Sequence, residues 1–121
     1  MTDRFTITTT DGITLECRID SPEEPTRVTV FCHPHPLHGG SMMAPLMIAV
    51  TRRLVERGHK VLRFNFRGTG ASTGEHDYGE AEQKDVAAAV LHAEEFGLPV
   101  GVAGSQRSEV MAPNDQPATP T

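Results

Sequence analysis

Three observations predict an α/β domain. Short apolar runs with strand character occur at Arg27–Cys32, His59–Phe66 and Val100–Gly104. Segments with helical spacing separate them, at about Pro45–Arg57 and from Asp77 to about Phe96. Proline- or glycine-rich loops follow the first two runs. Strands that alternate with helices imply a mostly parallel sheet with right-handed crossovers, and loops at the carboxyl ends of such strands are where α/β proteins place chemistry.

The first run, Arg27–Cys32, has one charge at its start and β-branched or aromatic residues at Val28, Thr29, Val30 and Phe31, as expected of a strand covered on both faces. Pro34 and Pro36 end it, because proline donates no N–H to a ladder. Before it, Phe5–Thr10 alternates weakly and Ile13–Ile19 strongly, with Ile13, Leu15, Cys17 and Ile19 on one face. Asp11-Gly12 between them signals a hairpin, expected to lie as an antiparallel edge. Ser21–Thr26 is a polar, proline-bounded loop.

The first helix starts with Pro45 in its first turn, carries the stripe Leu46, Met47, Val50 and Leu54, and stops at Gly58. His59–Phe66 supplies Val61, Leu62, Phe64 and Phe66. Asp77 and Glu80 have capping-box spacing for the second helix, whose inward residues are expected to be Val86, Ala87, Val90 and Leu91. Gly97 and Pro99 end it. Ser105–Thr121 has three prolines and no apolar period, so residues 1–104 are expected to form the domain and 105–121 a disordered tail.

Composition narrows the function. At 121 residues the chain is expected to hold one domain. A net charge of −5 with no basic stripe argues against a nucleic-acid partner. No leader and no membrane-spanning run is apparent, so the expected location is the cytoplasm, where Cys17 and Cys32 stay reduced thiols. No cofactor is implied.

Two segments, Cys32–Met42 (CHPHPLHGGSM) and Arg63–Gly74 (RFNFRGTGASTG), together resemble the small bacterial α/β-hydrolases of the dienelactone-hydrolase-like and serine-aminopeptidase-like type. The resemblance spans roughly residues 5 to 104. It implies the N-terminal half of an α/β-hydrolase sheet: an antiparallel hairpin, three parallel strands and two crossover helices. It also implies a small-molecule ester or amide substrate for a complete form. In this family the loop after the first central strand lends backbone N–H groups to an oxyanion hole, which stabilises the tetrahedral intermediate. Carried over, the donor falls within His33–Gly40; Pro34 and Pro36 are excluded because they lack an N–H, and His35 and Leu37 are the better candidates. Arg67, Gly68, Gly70 and Ser72 match a loop whose role in the family is mostly structural.

The family places its serine nucleophile in a G-x-S-x-G turn directly after the strand that matches Val100–Gly104. Here the serine position is Gln106, with Ser105 one residue early, Arg107 beside it and Ser108 at the last glycine position. No Asp or His of a triad can be assigned, so the expectation is a truncated member, inactive alone. The competing expectation is a non-catalytic interaction module that pairs through an open sheet edge, as a homodimer or an aggregate. On either view Val30, Phe64 or Val102 is expected to lose part of its cover.

Other patterns have plainer readings. Cys32, His33, His35 and His38 offer metal-type ligands, yet the loop reading accounts for them without a metal. Gly68, Gly70 and Gly74 miss the dinucleotide-binding spacing by one residue. Glu80, Glu82, Asp85, Glu94 and Glu95 read as a solvated helix face.

Overall fold

The computed structural model describes residues 2–34, 41–77 and 79–104. Their backbone forms a five-stranded sheet with one helix on each face. In chain order the elements are β1 (Thr2–Thr8), β2 (Thr14–Asp20), β3 (Arg27–Cys32), α1 (Pro45–Glu56), β4 (His59–Phe64), α2 (Glu82–Glu94) and β5 (Val100–Gly104). The spatial order is β1-β2-β4-β3-β5. The three central strands run parallel and β2 joins β4 antiparallel, so the hairpin lies at one edge as expected.

The hairpin register pairs Thr8 with Thr14, which leaves a five-residue connection where a two-residue turn was expected. Thr9 sets this turn: its N–H donates to the Ile13 carbonyl at 2.8 Å, and its hydroxyl accepts the Ile13 N–H at 2.9 Å. Both strands are accordingly displaced from their expected bounds. The alternation in β2 holds, with Leu15, Cys17 and Ile19 buried.

The two faces carry separate cores. On one, Val86, Ala89, Val90 and Ala93 of α2 pack against Leu15, Cys17, Val28, Val30, Leu62 and Phe64. On the other, Met47 of α1 packs against Phe31 and Val61. β3 is thus covered on both faces, and Val28, Thr29, Val30, Phe31 and Cys32 are all buried. Val30 and Phe64 are fully buried, contrary to expectation, because α2 alone suffices to cover them. The two edge strands are thinly covered: in β1 only Phe5 and Ile7 are half-buried, and in β5 Val100 and Val102 are half-buried while Gly101 and Ala103 are exposed.

Both helices are rotated from their expected phase. In α1 the inward stripe is Met47, Val50, Thr51, Leu54 and Val55, which leaves Leu46 63% exposed. Thr51 is tolerated inside because its hydroxyl donates to the Met47 carbonyl at 2.7 Å. In α2 the buried positions are Glu82, Asp85, Val86, Ala89, Val90 and Ala93, while Ala87 is half-buried and Leu91 is 65% exposed. The alanines let the helix lie close to the sheet.

The second helix also starts later than its capping signal. Asp77 does accept the Ala81 N–H, at 3.1 Å, but the returning carboxylate is Glu82 and not Glu80. Glu82 takes the Asp77 N–H at 2.6 Å and the Gly79 N–H at 2.9 Å. β4 stops at Phe64, two residues short of expectation, and Asn65 and Phe66 leave the ladder still buried. Among the described residues no helix is long and apolar enough to cross a membrane. The expected tail, 105–121, lies outside the described residues.

Candidate functional site

The parallel register brings three chain segments together at the carboxyl end of the sheet. Cys32 pairs with Phe64 on one side and with Gly104 on the other. The backbone that follows β3 therefore leaves beside both the glycine-rich loop and the end of β5.

His33 is the first residue past β3 and is 3% exposed. Its Nε2 accepts the Phe66 N–H at 3.0 Å, and that fixes the tautomer: Nδ1 carries the proton and donates to the Pro34 carbonyl at 2.6 Å. The ring also meets the Phe66 ring edge-on at 4.9 Å. Burial pushes the imidazole pKa down, so the neutral form is the stable one. Both ring nitrogens are committed, which leaves no lone pair for a metal. His33 is a latch that ties the start of the loop to the end of β4.

The glycine-rich loop, Arg67–Gly74, is held from three directions. Arg67 forms a buried ionic fork. Its Nε and Nη2 donate to Asp85 Oδ1 at 3.0 and 2.8 Å, and its backbone N–H donates to Asp85 Oδ2 at 2.9 Å. Nη1 and Nη2 reach Asp11 in the hairpin turn at 2.9 and 3.2 Å. The two carboxylates raise the Arg67 pKa further above its ordinary range, so it stays cationic. Its guanidinium holds the Asp11 carboxyl well below the carboxylate range. Burial pushes Asp85 up, and the Arg67 contacts oppose that push.

A second node sits on β2. Glu16 Oε1 accepts from Asn65 Nδ2 at 2.8 Å and from the Ala71 N–H at 2.9 Å. Ser72 accepts the Glu16 N–H at 2.9 Å and donates to the Asn65 carbonyl at 2.6 Å. Asn65 Oδ1 then accepts the Met42 N–H at 2.8 Å, which ties the segment before α1 to the residue after β4. Gly70 has φ +56°, and a Cβ there would come within 2.5 Å of Asn65 Nδ2. At Gly68, with φ +82°, a Cβ would come within 2.8 Å of the His76 backbone nitrogen. These close approaches require glycine at both positions.

This geometry decides several expectations. Arg67, Gly68, Gly70 and Ser72 are brought together in one loop held by Asp11, Glu16, Asn65 and Asp85. The loop does not suit a dinucleotide. Its N–H groups at Gly68, Thr69, Ala71, Ser72 and Thr73 are spent on protein acceptors, and the Glu16 carboxylate sits beside Gly70. Glu82 and Asp85 do not belong to a solvated face; they are 5% and 0% exposed. His35, Leu37, His38 and Gln106 lie outside the described residues, and among the described ones no group of three metal-type ligands forms. The sequence reading missed Asp11, Glu16, Asn65 and Asp85. Asp85 had a signal: Ala93, Val90, Ala89, Val86 and Asp85 fall on one i, i+3, i+4 stripe, so the acid is in phase with the core. Asn65 also had one, as the lone amide within an apolar run.

No family model matches the chain. An uncharacterized protein of Rickettsia prowazekii is 41% identical over 70 residues, which is 58% of this chain and 29% of that protein. Among solved structures, an α/β serine hydrolase homologue from Coxiella burnetii superposes with a TM-score of 0.77 at 37% identity, over 84% of this chain and 50% of that one. A lidless α/β serine hydrolase from Xanthomonas campestris gives 0.77 at 32%, over 85% and 50%. An esterase from Pyrococcus furiosus gives 0.73 at 25%, over 86% and 41%. The chain thus spans half or less of the length of these proteins. With this sheet order, this crossover pattern and these likenesses, the chain belongs to the α/β-hydrolase superfamily and carries the N-terminal half of its sheet.

Proposed function

We propose that this chain is the oxyanion-side half of a serine hydrolase acting on ester or amide bonds, and that these 121 residues are inactive alone. The observation that carries the reading is the pairing of Cys32 with both Phe64 and Gly104. It sets the segment after β3 beside the position that a nucleophile turn would follow. His33 is fixed by the Phe66 N–H and Met42 by Asn65, and preorganised backbone donors need fixed flanking residues of this kind. His35 and Leu37 are the donors in this proposal, the substrate is a small ester or amide, and no metal or cofactor takes part. Gln106 at the nucleophile position cannot be activated as a serine is.

A chimera tests the reading. Residues 1–104 would replace the matching half of the Xanthomonas campestris serine hydrolase, and hydrolysis of p-nitrophenyl acetate would be followed. The expected result is an active chimera that loses roughly 10²–10³-fold in kcat when His35→Pro or Leu37→Pro removes a donor. A folded chimera whose activity ignores both prolines overturns the assignment.

One observation favours a second reading, the interaction module. Among the described residues β5 pairs on one side only, with β3, and its residues are small and half-covered. Such an edge is a template for strand addition by another chain. Size-exclusion chromatography distinguishes the two: this second reading requires a discrete dimer.

A further inference from the structure

The face of the sheet that carries α1 holds an arrangement the hydrolase reading does not use. Arg4 pairs with Arg18 across β1 and β2, and Arg18 pairs with Arg63 across β2 and β4. Directly paired residues share a face, so three arginines stand in one row across three strands. Like charges placed directly opposite one another destabilise a sheet. Local carboxylates neutralise the row only at Arg63. Asp20 is taken by Arg63 Nη2 at 2.9 Å and by the Thr2 hydroxyl. Glu16 is taken by Asn65 and Ala71. Arg18 makes no side-chain hydrogen bond or ion pair among the described residues, and the Nε groups of Arg18 and Arg63 are both buried without a partner.

A cavity of about 450 Å³ opens beside this row, between α1 and the β1–β2 hairpin. That volume suits a small molecule. Arg18, Arg63 and Arg52 line it, together with Met43, Ile48 and Val55. Asp20 and Glu56 are also in the lining, so the three cations outnumber the acids there, and Asp20 is already committed to Arg63. We infer that this cavity binds a small organic oxyanion, a phosphate monoester or carboxylate on a compact apolar group. The oxygens pair with the Arg18 and Arg52 guanidinium groups, which have the fork geometry for bidentate contact. The apolar body lies against Ile48 and Val55. The bound anion would relieve the repulsion within the row.

Isothermal titration of the full chain with phenyl phosphate, benzoate and inorganic phosphate tests this. Saturable binding of phenyl phosphate or benzoate is expected, at least about tenfold tighter than inorganic phosphate, since burying the ring adds the apolar contribution. The tighter of the two identifies the acidic group. Arg18→Gln should weaken binding by at least about tenfold, the value of one charge-assisted contact. Val55→Trp, which fills the cavity and keeps every charge, should abolish it. Arg53→Gln, exposed on α1 and outside the lining, should leave it unchanged. Absence of saturable binding, equal affinity for inorganic phosphate, or binding that survives Val55→Trp overturns the inference. If Arg18→Gln does not melt cooperatively, the Val55→Trp result alone decides.

Discussion

The two sides of this sheet are built on opposite plans. On the hairpin side, a set of charged and polar groups that holds the glycine-rich loop is matched group by group: Arg67 with Asp85 and Asp11, Glu16 with Asn65 and Ala71, Ser72 with the Asn65 carbonyl. On the β5 side the strand is short, its residues are glycine, alanine and valine, and its α1-side positions Gly101 and Ala103 are exposed. The first side fixes a loop in place by itself. The second pairs its backbone with β3 alone among the described residues, and only Val100 and Val102 lean on the α2-side core. The contrast shows where the fold stores its precision: the groups that hold the glycine-rich loop come from the β1–β2 hairpin, the segment after β4 and α2.

The contrast breaks most sharply at Asp85. Asp85→Ala leaves the Arg67 guanidinium buried with only the partly exposed Asp11 to pair with. Removing one member of a buried pair costs about 3–5 kcal/mol, and denaturant unfolding should show a loss of that size. His33→Ala comes next. It strands the buried Phe66 N–H, for an expected loss of about 1–3 kcal/mol in the same measurement. The opposite side should be indifferent. Ala103→Lys should change stability by less than about 0.5 kcal/mol, while the charge on the edge shifts light scattering towards monomer.

Two titrations sharpen the same comparison, because both groups belong to the well-packed side. His33 has its folded pKa below the unfolded value, near 6.5. Its contribution is present above that pH and is lost as pH falls below it, when the unfolded state takes up the proton first. Cys17 behaves in the alkaline range. Burial pushes its thiol from 9.0 up to about 12. The contribution is complete below pH 9 and is lost between pH 9 and about 12, which a pH series of thermal melts would show. Over the same range, alkylation of Cys17 in the native chain should lag far behind the unfolded rate, since the thiolate is the nucleophile.

Much of the fold was legible from the sequence because strand order rests on local signals. Arg27–Cys32 and Val100–Gly104 are apolar runs bounded by turn residues, and the helices end at Gly58 and Gly97 as expected. What was not legible depends on phase and on long-range pairing. The 3.6-residue period marks a stripe on α1, yet only packing against Phe31 and Val61 turns Thr51 inward and Leu46 out. Asp85 and Glu82 read as surface acids because their partners, Arg67 and the Asp77 and Gly79 N–H groups, come from other segments. The loop glycines were recognised, but the side chains that make Gly70 obligatory, Glu16 and Asn65, belong to β2 and to the residue after β4.

In the proposed function this chain supplies the positioning half of a hydrolase and not its nucleophile. Treatment of the intact chain with a fluorophosphonate probe, followed by peptide mapping, tests it most directly. No labelled serine above a denatured control is expected, because the proposed function sets Gln106 at the nucleophile position. Stoichiometric labelling of Ser105 or Ser108 would contradict it, since it would show that these residues build an activated nucleophile on their own.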